Sequence, residues 1–166
     1  MAMANVLLCS DEPILAEGLS RILSGSDQMR LISYCPGIDG LRDQMSTHQP
    51  DILLNLSNDG WFHGSSEHDM HLAVSIFRAV ENRVPLARAV NTGISALIDG
   101  NGRVLASLPK LKEGILARNI PLDDRVSLYS TWGDWVGILC LAATVALFPL
   151  AGLQPLWERT RLNQDL

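Results

Sequence analysis

No charged residue interrupts residues 135–153, WVGILCLAATVALFPLAGL, and that run sets the first limit on what the chain can become. At about 1.5 Å of rise per residue, a helix over it reaches about 28 Å, close to the roughly 30 Å of a bilayer's hydrocarbon. Trp135 and Trp157 stand near its two ends, where amphipathic rings favour the membrane–water boundary. Pro149 and two glycines weaken a helix in water but are tolerated in membrane helices. The run predicts a transmembrane helix over 135–153 followed by a short tail, 154–166. The alternative is a helix buried in a core.

Upstream, short apolar strands alternate with amphipathic helical stretches. Val6–Leu8 reads as a strand, and Ile14, Leu15, Leu19, Ile22 and Leu23 share one helical face behind Pro13. Residues 31–34 and 51–56 read as further strands around a helix at 41–45, a βαβαβ unit that requires right-handed crossovers. Ser65 and Ser66 are candidate caps for a helix with Glu67 and Asp69 in its first turn. Ala73, Ile76, Phe77 and Val80 form its expected buried stripe, and Pro85 stops it. Asp99-Gly100-Asn101-Gly102 between two apolar runs predicts a hairpin. Strands are expected near 5–8, 30–34, 51–57, 86–91, 94–98, 103–107 and 114–120.

A formal charge of −5 without a Lys/Arg block argues against a nucleic-acid surface. Met1–Ser10 lacks the basic start and apolar length of a secretory signal. Cys9, Cys35 and Cys140 show neither a disulfide framework nor C-x-x-C spacing. His63, Glu67, His68 and His71 do not form H-E-x-x-H, so no metal is expected. No Gly-rich phosphate loop is present, and no cofactor is expected.

Residues 55–99 contain, in order, NDGWF, a His, R-A-x-E-N, P-L-x-R and N-T-G-x-S. This series, continued by YSTWGDW at 129–135, resembles the C-terminal part of the carbon–nitrogen hydrolase (nitrilase-like) domain of apolipoprotein N-acyltransferases. The resemblance implies a bacterial inner-membrane enzyme that moves an acyl chain from phospholipid to the N-terminal Cys of a lipoprotein. Such chemistry uses a Glu–Lys–Cys triad, with a thiolate nucleophile, a base and a cation at the oxyanion. The triad's Glu and Lys have no counterpart here, and Lys110 and Lys112 match neither role. Cys35 has nearly the nucleophile's separation from NDGWF but stands in Cys35-Pro36-Gly37 instead of C-[YF]-E, and its plain reading is a strand cysteine. Residues that do match are supporting ones: Asn58, Asp59, Trp61, Phe62, Arg78, Glu81, Asn91, Thr92, Gly93 and Ser95. Each is expected either to line the substrate site or simply to pack, and Arg78 and Glu81 can pair one turn apart.

Residues 4–54 are similar to the first half of a response-regulator receiver domain. Asp11 and Glu12 stand at its acidic site, but Ser10 takes one acidic position and Leu56 falls where the phosphoacceptor belongs. The expected fold is α/β, a partial nitrilase-like mixed sheet (50–134) joined to a receiver-like βαβαβ half (1–54), with one C-terminal transmembrane helix. The expected function is a fragment or hybrid of an N-acyltransferase, not competent alone. The alternative is a degenerate, membrane-anchored receiver without a phosphoacceptor.

Overall fold

The computed structural model describes residues 3–10, 12–36, 40–61 and 66–162, with side chains described through Phe148. Two compact units result, Met1–Thr131 and Trp132–Leu166. The first is a six-stranded sheet with helices against it. Its strands are β1 (Ala4–Ser10), β2 (Met29–Cys35), β3 (Ile52–Ser57), β4 (Leu86–Val90), β5 (Ser95–Ile98) and β6 (Val104–Leu108). Its helices are α1 (Pro13–Leu23), α2 (Leu41–His48) and α3 (Glu67–Asn82). A short helix, α4 (Leu128–Trp132), and a long one, α5 (Trp135–Leu162), follow.

The strand order is β2-β1-β3-β4-β5-β6. The first four strands pair in parallel, and β4, β5 and β6 pair antiparallel. The strands of residues 4–57 and those of residues 86–108 therefore lie in one continuous sheet. Register explains the core. Leu7, Leu53, Leu86 and Ile98 are neighbours across four strands, all with 2% exposure or less. Period-2 geometry puts this row and the next one, Cys9, Asn55, Arg88 and Ala96, on the same face. Leu41 and Met45 of α2 and Ala79 of α3 close over that face.

The helix α3 buries His68, Ser75, Ala79 and Asn82, with Leu72 and Ile76 packed against the core. The expected stripe was displaced by part of a turn: Phe77 is exposed because the true inward face runs through 68, 72, 75, 79 and 82. Arg83 ends the helix in the left-handed region, and Pro85 follows. In α1 only Ala16 is buried, whereas Ile14 and Ile22 are 83% and 72% exposed. The apolar stripe expected there exists, but no described residue covers most of it.

The expected hairpin forms between β5 and β6. Asp99 Oδ1 accepts the backbone N–H groups of Asn101 and Arg103, and Gly102 takes φ +81°, open to glycine without strain. The strand expected at 114–120 is not one. Residues 112–127 form neither helix nor strand, and β6 remains the sheet edge. Leu116 and Ile120 are half-buried instead, in a cleft of about 720 Å³ beside Val6, Ile52, Leu54, Ala87 and Leu97. The segment crosses an apolar sheet face; burying side chains there replaced backbone pairing at the edge.

In the second unit, α5 begins where the membrane helix was expected and continues to Leu162, through much of the predicted tail. Its side chains from Val136 to Phe148 include seven large apolar groups that are more than half exposed. Among the described residues, however, no helix is long and apolar enough to cross a membrane. The transmembrane expectation is corrected to that extent.

Candidate functional site at the carboxyl edge of the sheet

The strand β4 reads Leu-Ala-Arg-Ala-Val, and its one charge points into the helix-covered face, where Arg88 is 6% exposed. A buried guanidinium must be paired and hydrogen-bonded or it costs several kcal/mol. Arg88 Nη2 donates to Asp59 Oδ2 at 2.8 Å, and its Nη1 donates to Asn55 Oδ1 at 2.6 Å and to Ser75 Oγ at 3.2 Å. Asp59 is wholly buried. Its Oδ1 also accepts the Ser57 hydroxyl at 2.8 Å and lies 3.4 Å from His71 Nδ1, while His68 Nδ1 is 4.0 Å from Oδ2. Burial alone raises the pKa of Asp59. The Ser57 hydroxyl, the Arg88 guanidinium and the His71 ring oppose it and together hold the carboxyl below its ordinary value. Burial likewise lowers the Arg88 pKa, countered by Asp59.

This pair locks two turns together. The backbone N–H of Asp59 donates to Asn91 Oδ1 at 2.9 Å, and Asn91 Nδ2 donates to Asn58 Oδ1 at 2.6 Å. Gly60 N–H adds a bond to Asn58 Oδ1, and Thr92 N–H one to Asn91 Oδ1. Ser95 Oγ accepts from Val90 N–H and closes the second turn. Gly93 is required by space: a Cβ there would stand 2.3 Å from Asp59 Oδ2. The Asn58-Asp59-Gly60 turn after β3 and the Asn91-Thr92-Gly93 turn after β4 are thus one hydrogen-bonded unit.

Beside that unit opens a cleft of about 370 Å³ at the carboxyl ends of β1, β3 and β4. Its rim carries Ser10 and Glu12 on one side and Asn58 and Asn91 on the other. In open α/β sheets this edge, where the strand order turns between two neighbours, is where ligands bind.

The predicted residues distribute as follows. Asn58, Asp59, Asn91, Thr92, Gly93 and Ser95 come together in the double turn, and Glu12 reaches the cleft. Trp61 is 81% exposed beyond it. Arg78 and Glu81 pair with each other at 2.9 Å on the flank of α3. Phe62 and Asp11 lie outside the described residues, as does His63. Cys35 ends β2 and is 2% exposed, packed with Cys9, Leu41 and Met45 as a core residue. Lys110 pairs with Asp69 at the surface, 3.6 Å apart. Among the described residues, no group of three or more His, Cys, Asp or Glu side chains could hold a metal ion. Sequence reasoning missed Arg88 and Ser57 as partners of Asp59, and Asn55 and Ser75 as partners of Arg88. The signal was available in part: a lone arginine inside a central parallel strand demands a buried acid.

The profile of the carbon-nitrogen hydrolase family matches residues 37–129. The match begins just before α2 and runs through α2, β3 and the double turn. Among curated proteins, the chain is 40% identical over 100 residues to an apolipoprotein N-acyltransferase of Geobacter metallireducens, covering 60% of this chain and 19% of that protein. It is 38% identical over 92 residues to apolipoprotein N-acyltransferase 1 of Treponema denticola, covering 54% and 17%. Over 111 residues it is 37% identical to an apolipoprotein N-acyltransferase of Rhodopseudomonas palustris, covering 67% and 21%. The chain thus spans about a fifth of the length of these relatives. With the profile following strand, helix and turn across more than half of its residues, the chain belongs to the carbon-nitrogen hydrolase family and is similar to apolipoprotein N-acyltransferases.

Proposed function

We propose that this chain carries the supporting part of an apolipoprotein N-acyltransferase site and does not transfer acyl groups by itself. The observation that carries the reading is the Asp59–Arg88 pair, which joins the two family-type turns at the ligand-binding edge of the sheet. The names of the relatives point to a lipoprotein acceptor, and the family resemblance to a phospholipid donor. The exposed apolar surface of α5 supports a place at the bacterial inner membrane. Acyl transfer needs an activated thiolate beside a base and a cation. Cys35 is a core residue, 2% exposed and packed with Cys9, Leu41 and Met45, and structural buried cysteines of this kind are inert.

The test is direct. The purified chain is incubated with phospholipid and a diacylglyceryl peptide, and the peptide and protein are weighed by mass spectrometry. Neither should gain an acyl mass. A Cys35 thioester would overturn the proposal.

A second reading, a degenerate receiver at the membrane, draws on the parallel order β2-β1-β3, which flavodoxin-like sheets share. The family match over residues 37–129 favours the first reading from α2 to the start of α4.

A further inference from the structure

The cleft at the carboxyl edge has walls of two origins. Leu56, Asn58, Val90 and Asn91 come from the family-matched part, whereas Ser10, Glu12 and Leu15 come from the first strand and helix, outside residues 37–129. Nothing in the family's chemistry therefore dictates what this composite cleft holds. Its own chemistry does.

At about 370 Å³ the cleft is within the usual range for small-ligand sites, which are mostly apolar with a few polar groups at the mouth. Leu15, Leu56, Ala89 and Val90 supply the apolar wall. Glu12 is the one ionised side chain among its described lining residues, and no cation accompanies it. The amino end of α1 beside Glu12 contributes about half a positive charge, and Pro13 removes one of its N–H donors. A full negative charge against about half a positive one leaves the mouth negative. Asn58 and Asn91 are neutral, and their amide oxygens already accept bonds from Gly60 and Asn91, and from Asp59 and Thr92. Among the described residues, the only full charge at the mouth is therefore negative, which favours a cation over a carboxylate or phosphate.

We propose that this cleft binds an aliphatic primary amine, with the ammonium at Glu12 and the chain along Leu15, Leu56 and Val90. The inference rests on the cleft itself and stands or falls apart from the acyltransferase reading.

Calorimetric titration of the full chain with butyl-, hexyl- and octylamine at neutral pH tests it, with octanol and octanoate as comparators. Affinity should rise about two- to fourfold per methylene, the range expected for partial to full burial of each CH₂. Octylamine should bind more tightly than octanol, and octanol more tightly than octanoate. Glu12→Gln should weaken octylamine about two- to fivefold, as for an exposed ion pair, and leave octanol unchanged. Ala89→Phe, at an exposed strand position, should fill the cleft and abolish binding. Octanoate binding as well as octylamine would overturn the proposal. So would octylamine binding that is unchanged in Glu12→Gln, or that survives Ala89→Phe and so belongs to another apolar surface.

Discussion

The helix α3 and the helix α1 carry comparable sequence patterns and meet opposite fates. Both are amphipathic and both lie next to parallel strands. The inward face of α3 meets Leu53, Leu86 and Ile98 and brings Ser75 to a buried arginine. The apolar face of α1 leaves Ile14 and Ile22 largely in solvent, with Leu15 half in the cleft. A stripe of apolar residues states that a helix has something to bury, and only the neighbouring elements decide whether it does. The side with α3 also carries the charges, which is the less intuitive half of the lesson. Its polar network is enclosed because the Arg88 guanidinium and the Ser57 hydroxyl both donate to Asp59, so the low dielectric strengthens the pairing instead of penalising it.

The comparison can be broken most strongly at the buried pair. Asp59→Ala should cost about 3–5 kcal/mol of stability by stranding Arg88 in the core, and Arg88→Met should cost a similar amount. The double variant should lose clearly less than the sum, by about 1–3 kcal/mol. Urea denaturation of the four proteins measures all three values. An additive cycle would mean that the two turns are held by something else.

Leu53→Ala tests the apolar part of the same side. A side chain 2% exposed and surrounded on four strands should cost about 2–5 kcal/mol on truncation. Ile14→Ala on α1 should stay within about 0.5 kcal/mol. Equal losses at the two positions would show that α1 is covered in solution.

Gly93→Ala should cost about 1–3 kcal/mol, since its new methyl must displace the Asp59 carboxylate or the turn that carries it. Thermal unfolding monitors the loss. If Asp59→Ala is already present, the same substitution should cost much less.

The smallest expected effect is on acid stability. Asp123, bonded to the Arg125 side chain and opposed by its own burial, has its pKa lowered from 3.8 to about 2. Asp59 is shifted in the same direction. A depressed carboxylate stabilises the fold fully above its unfolded value and loses that contribution as pH falls through its folded value. Stability should therefore decline between about pH 4 and pH 2, and Asp123→Asn should flatten part of that decline. An unchanged slope would remove Asp123 from the account.

The sequence by itself determined most of the elements and the family. Short apolar runs and the turn signals between them located six of the seven expected strands. The order NDGWF, R-A-x-E-N, P-L-x-R and N-T-G-x-S located the residues of the double turn, because local geometry and spacing are written residue by residue. It failed where the outcome depended on a partner far along the chain. Residues 114–120 were expected as a strand, yet Leu116 and Ile120 lie against an apolar sheet face and the segment pairs with no edge. Phe77 lies on an apolar stripe, yet the sheet meets α3 on a face shifted from it. Arg88 looked like one letter of a motif, and only the tertiary structure decided its role. Asn55, Asp59 and Ser75 come from three different elements, and nothing in the spacing between them shows that one guanidinium needs all three, with Ser57 bonding Asp59 behind it. The physical reason is the same in each case: backbone periodicity is local, whereas the desolvation of a charge and the covering of an apolar face are settled by whichever groups the fold brings within a few ångströms.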